Sequence, residues 1–135
     1  MQRLQTAVFW LGLVYGAVAY GMLGTLFLLT PEVINGSGVV FGTAHAASAI
    51  RVGYGAPFLS LAIISAFGLV RRQHAFLCLL IVAGFSLAVT LSRLFAIGID
   101  GATEHNLIEL RDEGGSTIFF LLALWCGRNR ARTSR

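Results

Sequence analysis

Charge is what this sequence has least of. Charged residues are 12% of its 135 positions against 56% hydrophobic, and the mean hydropathy is +0.78. Soluble domains carry about 25% charged residues, so this composition excludes a water-facing surface and calls for one that faces lipid. Lysine is absent and every basic residue is arginine. We read that as the codon usage of a GC-rich bacterial genome and attach no chemistry to it. Two cysteines, Cys78 and Cys126, are too few for a disulfide framework, and neither has the neighbours a metal or redox site needs. They read as small packing residues near the cytoplasmic ends of their helices, where thiols stay reduced. Catalytic templates are missing as well: there is no G-x-S-x-G, P-loop, H-E-x-x-H or C-x-x-C. The expectation is therefore no enzyme, no catalytic residue, no metal, and no cofactor other than a lipid or quinone.

The charges that are present fall in a pattern. Leu4 to Pro31 is a run of 28 residues without a formal charge, and apolar runs follow at Val52–Val70, Ala75–Ser92 and Gly114–Gly127. All six acids (Glu32, Asp100, Glu104, Glu109, Asp112, Glu113) fall into two loops and their helix margins. Seven of the ten arginines (3, 71, 72, 128, 130, 132 and 135) fall into the other segments. The positive-inside rule then places both termini and the Arg71–His74 hairpin in the cytoplasm. The net charge of +4 lies at membrane boundaries, which reads as a topology signal and excludes nucleic-acid binding.

The pattern predicts a single domain, 1–135, with helices at about 6–29, 46–70, 75–97 and 106–125. The first is about 36 Å long, enough to cross a hydrocarbon core of about 30 Å. Ala17-Val18-Ala19 mimics a signal-peptidase site, but the apolar run continues about ten residues beyond it, which favours a retained helix. Pro31 should end that helix. A loop over 31–45 follows, with a turn at Asn35-Gly36; the glycosylation sequon Asn35-Gly36-Ser37 adds nothing in a bacterial source. Pro57 should kink or widen the second helix. The short hairpin demands antiparallel neighbours, and Asp100-Gly101 marks the next turn. The fold class is thus an all-α, four-transmembrane-helix antiparallel bundle, multi-pass in the inner (plasma) membrane. Small-residue pairs at Gly12/Gly16, Ala62/Ala66 and Gly84/Ala88 suit close packing within the bundle, with self-association or docking on a larger complex as the alternative.

Three arginines break the inside rule: Arg51, Arg93 and Arg111. Arg51 precedes Arg71 by 20 residues and Arg93 follows Arg72 by 21, so both sit at one depth on neighbouring helices, about 30 Å from the hairpin. Counting back from Arg128, Glu109 is 19 residues away and Glu113 is 15, the two sharing a helix face at i,i+4 spacing. Arg51 and Arg93 are therefore expected to meet Glu109 and Glu113, with Asp112 near that face, Arg111 pointing elsewhere and Tyr54 adding a hydroxyl. Charges at membrane depth cost about 2.5–3.5 kcal/mol each on the lenient scale, so they should pair. Three readings stay open: an ion-pair clasp, a ligand site for an anionic headgroup, quinone or small acid, and proton or ion movement. His45 and His105 could approach one another near Glu104, but the spacing lacks a third metal ligand. His74 reads as interfacial, and Trp10 and Trp125 as belt residues.

Arg51-Val52-Gly53-Tyr54-Gly55 resembles the R-x-x-Y-G element of a small four-helix bacterial membrane family of unknown function, similar to the DoxX-like group. Ser92-Arg93-Leu94, with Asp100-Gly101 after it, resembles that family's second element, and Glu113 fits the later acid on helix four. The chain departs from the pattern at Ala49, where the family carries an acid, and at Ala56-Pro57, where it carries a second glycine. The resemblance implies a four-helix bundle with a polar outer site built from Arg51, Tyr54, Arg93, Asp100 and Glu113. DoxX-like relatives include accessory subunits of quinone-linked oxidoreductases. The function expected from all this is a non-enzymatic accessory or scaffold subunit, with membrane lipids and other membrane subunits as partners. The alternatives are a binder or carrier of a lipid, quinone or small anionic ligand, and a subunit of a membrane redox enzyme.

Overall fold

A computed structural model describes residues 2–33 and 44–133, all in helices or the turns that join them. Helix α1 is Gln2–Leu29. Helix α2 is one continuous rod made of Ala44–Ile50, a π-helical turn Arg51–Gly55, and Ala56–Val70. Helices α3, Ala75–Asp100, and α4, Glu104–Thr133, complete the chain. Three stretches, Gln2–Leu29, His45–Val70 and Arg72–Asp100, are long and apolar enough to cross a membrane. The helices overrun their predicted limits at several ends, because polar residues such as Gln2, Arg3 and Glu104 are themselves good helix formers. The predicted Asn35-Gly36 turn and the sequon lie outside the described residues.

Each helix stops for a local reason. Pro31 interrupts α1, and Pro31–Val33 forms one 3-10 turn closed by a Val33 N–H bond to the Thr30 carbonyl at 3.1 Å. The hairpin is a second such turn, Arg72–His74. Helix α3 ends at Gly101, whose φ of +94° suits a residue without Cβ. Thr103 then caps α4, its Oγ1 accepting the Asn106 N–H at 3.2 Å.

The expected effect of Pro57 takes a definite form. Its ring has no N–H to give and crowds the carbonyl four residues back, so the preceding turn widens. The Ala56 N–H reaches back five residues to the Arg51 carbonyl, which is the π pattern. One extra residue in the turn rotates everything before it by about 100° relative to a straight α-helix.

The helices pack as a ring: α1 against α2 and α4, and α3 against α4 and α2. Leu13, Leu79, Val82, Phe120 and Ala123 form the fully buried centre. Gly12 and Gly16 let the backbones close in, since a Cβ would lie 2.7 Å from that of Ala123 at the first and 2.6 Å from Ser65 Oγ at the second. The other small-residue pairs behave differently. Ala62 is buried and Ala66 exposed, while Gly84 and Ala88 lie on an open face with nothing within 4 Å of a Cβ at Gly84. Only 22–33% of each spanning window is buried inside the bundle. Met22, Ile63, Val70 and Phe95 stand more than two-thirds exposed, a surface suited to acyl chains and hostile to water.

Candidate functional site

Arg93 sits on the last third of α3 and faces α4. Its Nη1 lies 2.7 Å from Glu109 Oε2. Its Nη2 donates to Glu113 Oε1 at 2.8 Å and its Nε to Glu113 Oε2 at 3.2 Å, a two-pronged grip on one carboxylate. All three guanidinium nitrogens are engaged. Glu109 also holds His105, Nε2 to Oε1 at 3.1 Å, one turn nearer the start of α4. The side chains of Arg93, Glu109 and Glu113 keep about a quarter of their surface exposed (26%, 28% and 24%). Such pairs are less screened than surface ones and less costly to desolvate than fully buried ones.

Below the ion cluster runs a ladder of hydroxyls. Thr117 on α4 shares hydrogen bonds with Thr90 at 2.8 Å and with buried Ser86 at 2.7 Å, both on α3. Across the bundle, the Tyr15 hydroxyl meets Ser116 Oγ at 2.9 Å. These bonds let a polar inner face of α4 stay inside an otherwise apolar bundle.

Between the two helix pairs lies a cavity of about 610 Å³. Its apolar wall is a stack of rings: Phe27 on Phe58 at 5.9 Å, Phe58 on Tyr20 at 5.7 Å, and Tyr20 on Phe120 at 5.9 Å. Phe85 from α3 meets both Tyr20 and Phe58 edge-on. Tyr54 tilts against Phe27. The polar side of the lining is Arg93, His105, Asn106, Glu109, Asp112, Glu113, Ser86 and Ser116.

Of the residues singled out in the sequence, Arg93, Glu109 and Glu113 come together, and Tyr54 lines the same cavity. Arg51 does not join them. Its Nε donates to the Leu28 carbonyl at 3.0 Å, so it caps the end of α1 instead. The expected meeting of two arginines is thereby corrected, and the cause is the π turn: counting at 1.5 Å per residue sets depth, but the widened turn changes the face. Gly55 packs on the same Leu28. Asp100 is exposed at the tip of α3 and is not part of the lining. Arg111 pairs with its neighbour Asp112 at 2.9 Å on the exposed side. His105 enters the cluster through Glu109, whereas His45 is exposed and away from the lining. Among the described residues no three His, Cys, Asp or Glu side chains are placed to hold a metal ion.

The aromatic wall and the hydroxyl ladder went unread in the sequence. Their signal was present as spacing: Tyr20 and Phe27 lie seven apart on α1, and Tyr54 and Phe58 four apart on α2, each a single helical stripe. In a chain this apolar, such stripes do not stand out from the lipid-facing background.

No protein-family model matches the chain, and no curated protein or solved structure is significantly similar to it.

Proposed function

We propose that this is a membrane protein that binds an amphiphilic small molecule, of the lipid or quinone class, in the cavity at the acid-bearing end of the bundle. The observation that carries this reading is the chamber itself. A clasp that only fixes helix register needs Arg93 and its two carboxylates, with the helices closed beneath them as they close around Gly12 and Gly16. Here the helices stand apart over about 610 Å³, within the range of about 300–1,000 Å³ typical of small-molecule sites. The role is non-enzymatic, since both glutamates are held by Arg93 and neither is left as a free acid–base pair.

Native mass spectrometry from mild detergent tests the reading. A non-covalent adduct should accompany the wild-type chain and be lost from Leu23→Trp, which places an indole in the cavity mouth, and from Arg93→Ala. Identical spectra for all three chains, without adduct, would overturn it.

The accessory-subunit role is the second reading, favoured by the open Gly84–Ala88 face of α3, which packs on nothing within the chain. It calls for co-purification in fixed stoichiometry that Gly84→Leu abolishes. A quinone ligand would join the two readings as a non-catalytic subunit of a membrane redox enzyme.

We place α4 as a fourth crossing. It packs on α1 and α3 over its length, and its exposed apolar side chains, Ile118, Leu121, Leu122 and Trp125, match the lipid faces of the other helices. Its polar residues face inward, which lowers an average taken over all faces. Both termini then share the cytoplasmic side of the inner membrane with the hairpin, by the arginine partition. A C-terminal fluorescent fusion that folds only in the cytoplasm should be bright, and a dark one would reverse the orientation.

A further inference from the structure

We infer that the molecule held in the cavity is a lipophilic organic cation, an amphiphile with an ammonium-type or phosphonium-type head and apolar groups. This rests on the binding reading above and names its ligand class. The argument is charge balance inside a confined space. Glu109 and Glu113 share one arginine, and Asp112 leans on Arg111 outside. The cavity lining therefore carries three carboxylates against the single guanidinium of Arg93, with His105 charged only if protonated.

An anion finds no vacant partner here. All three nitrogens of Arg93 already contact carboxylate oxygens, so an incoming phosphate or carboxylate would have to displace one of them and then sit beside it. In a partly dehydrated cavity that repulsion is stronger than in water. A cation meets the opposite balance. It approaches carboxylate oxygens that retain acceptor capacity, and it sits among Tyr54, Phe27, Phe58, Tyr20 and Phe85, whose ring quadrupoles attract positive charge. The apolar part of such a ligand fills the ring-lined half of the chamber. The head lies at the level of Glu113, where the hydroxyls of Thr90 and Thr117 begin.

Three probes of comparable hydrophobicity separate the outcomes: tetraphenylphosphonium, its anionic isostere tetraphenylborate, and neutral decylubiquinone. Each is measured by equilibrium dialysis against the purified full chain in a non-ionic detergent, with Leu23→Trp as the blocked reference. The phosphonium should bind at least about ten-fold more tightly than the borate, after subtraction of the blocked chain. Asp112→Asn, on the exposed rim, should weaken the phosphonium by about three-fold and leave the quinone unchanged. Tyr54→Leu should weaken the phosphonium more than the quinone, because only the cation uses the ring quadrupole. Borate or decylubiquinone binding as tightly as the phosphonium would overturn the cationic assignment while leaving the binding site in place. If none of the three distinguishes wild type from Leu23→Trp, the binding reading falls along with the inference.

Discussion

The two ends of this bundle are built from the same four helices and solve opposite problems. Toward the Arg71–His74 hairpin, Gly12 nests on Ala123, Gly68 on Cys78 and Gly127 on Phe9, and Leu13 and Leu79 are sealed from solvent. Arg72 covers Trp10 there, its guanidinium 5.9 Å from the ring centre. At the other end the α1–α2 pair stays tight through Gly24 and Gly55, but α3 and α4 stand off from it across rings and charges. The tight end shows what four apolar helices do by default when small residues let them. The open end departs from that default, and the departure is what points to a ligand.

Substitutions can break that contrast, beginning at the tight end. Gly12→Leu should be the most damaging change, because even its Cβ collides with Ala123. A loss of about 3 kcal/mol or failure to yield monodisperse protein is expected in thermal unfolding by intrinsic fluorescence. The same replacement at Gly84, on the open face, should change stability by less than about 0.5 kcal/mol. Equal effects at the two sites would mean the helices are not arranged as described.

Arg93→Ala comes next at about 2 kcal/mol, since it leaves Glu109 and Glu113 facing each other part-buried and unpaired. Glu113→Gln should cost less and should couple to Arg93→Ala in a double-mutant cycle. Arg51→Ala should cost only about 0.5 kcal/mol as a lost helix cap and should combine additively with Glu113→Gln. Coupling between Arg51 and Glu113 would bring Arg51 back into the cluster.

Thr117→Val, which removes the shared partner of Ser86 and Thr90, should cost about 1 kcal/mol. The smallest effect, with opposite sign, belongs to Ser65. Among the described residues its Oγ is the one buried side-chain polar atom without a hydrogen-bond partner. Ser65→Ala should therefore be neutral or stabilise by up to about 1 kcal/mol. A marked loss of stability would show that the hydroxyl has a partner in the membrane.

Much of this could be read from one-dimensional spacing. The scarcity of charge called for a helical, lipid-facing protein, because in a bilayer the backbone must satisfy its own hydrogen bonds. Equal counts from a common hairpin set Arg93 level with Glu109, and the i,i+4 step brought Glu113 onto the same face, since rise and turn per residue hardly vary along a regular helix. Pro57 announced a distortion. What spacing left open was which side of the helix Arg51 would face after that distortion: a π turn adds one residue, and one residue redirects a side chain by about 100°. The open chamber was also beyond counting, because a Tyr or Phe in an apolar helix has the same sequence signal whether it meets lipid or a cavity. Local regularity settled depth and pairing on α3 and α4. Packing among all four helices decided the direction of Arg51, the space beneath Arg93 and the excess of carboxylate around it, because those depend on where neighbouring helices stand and no single helix carries that information.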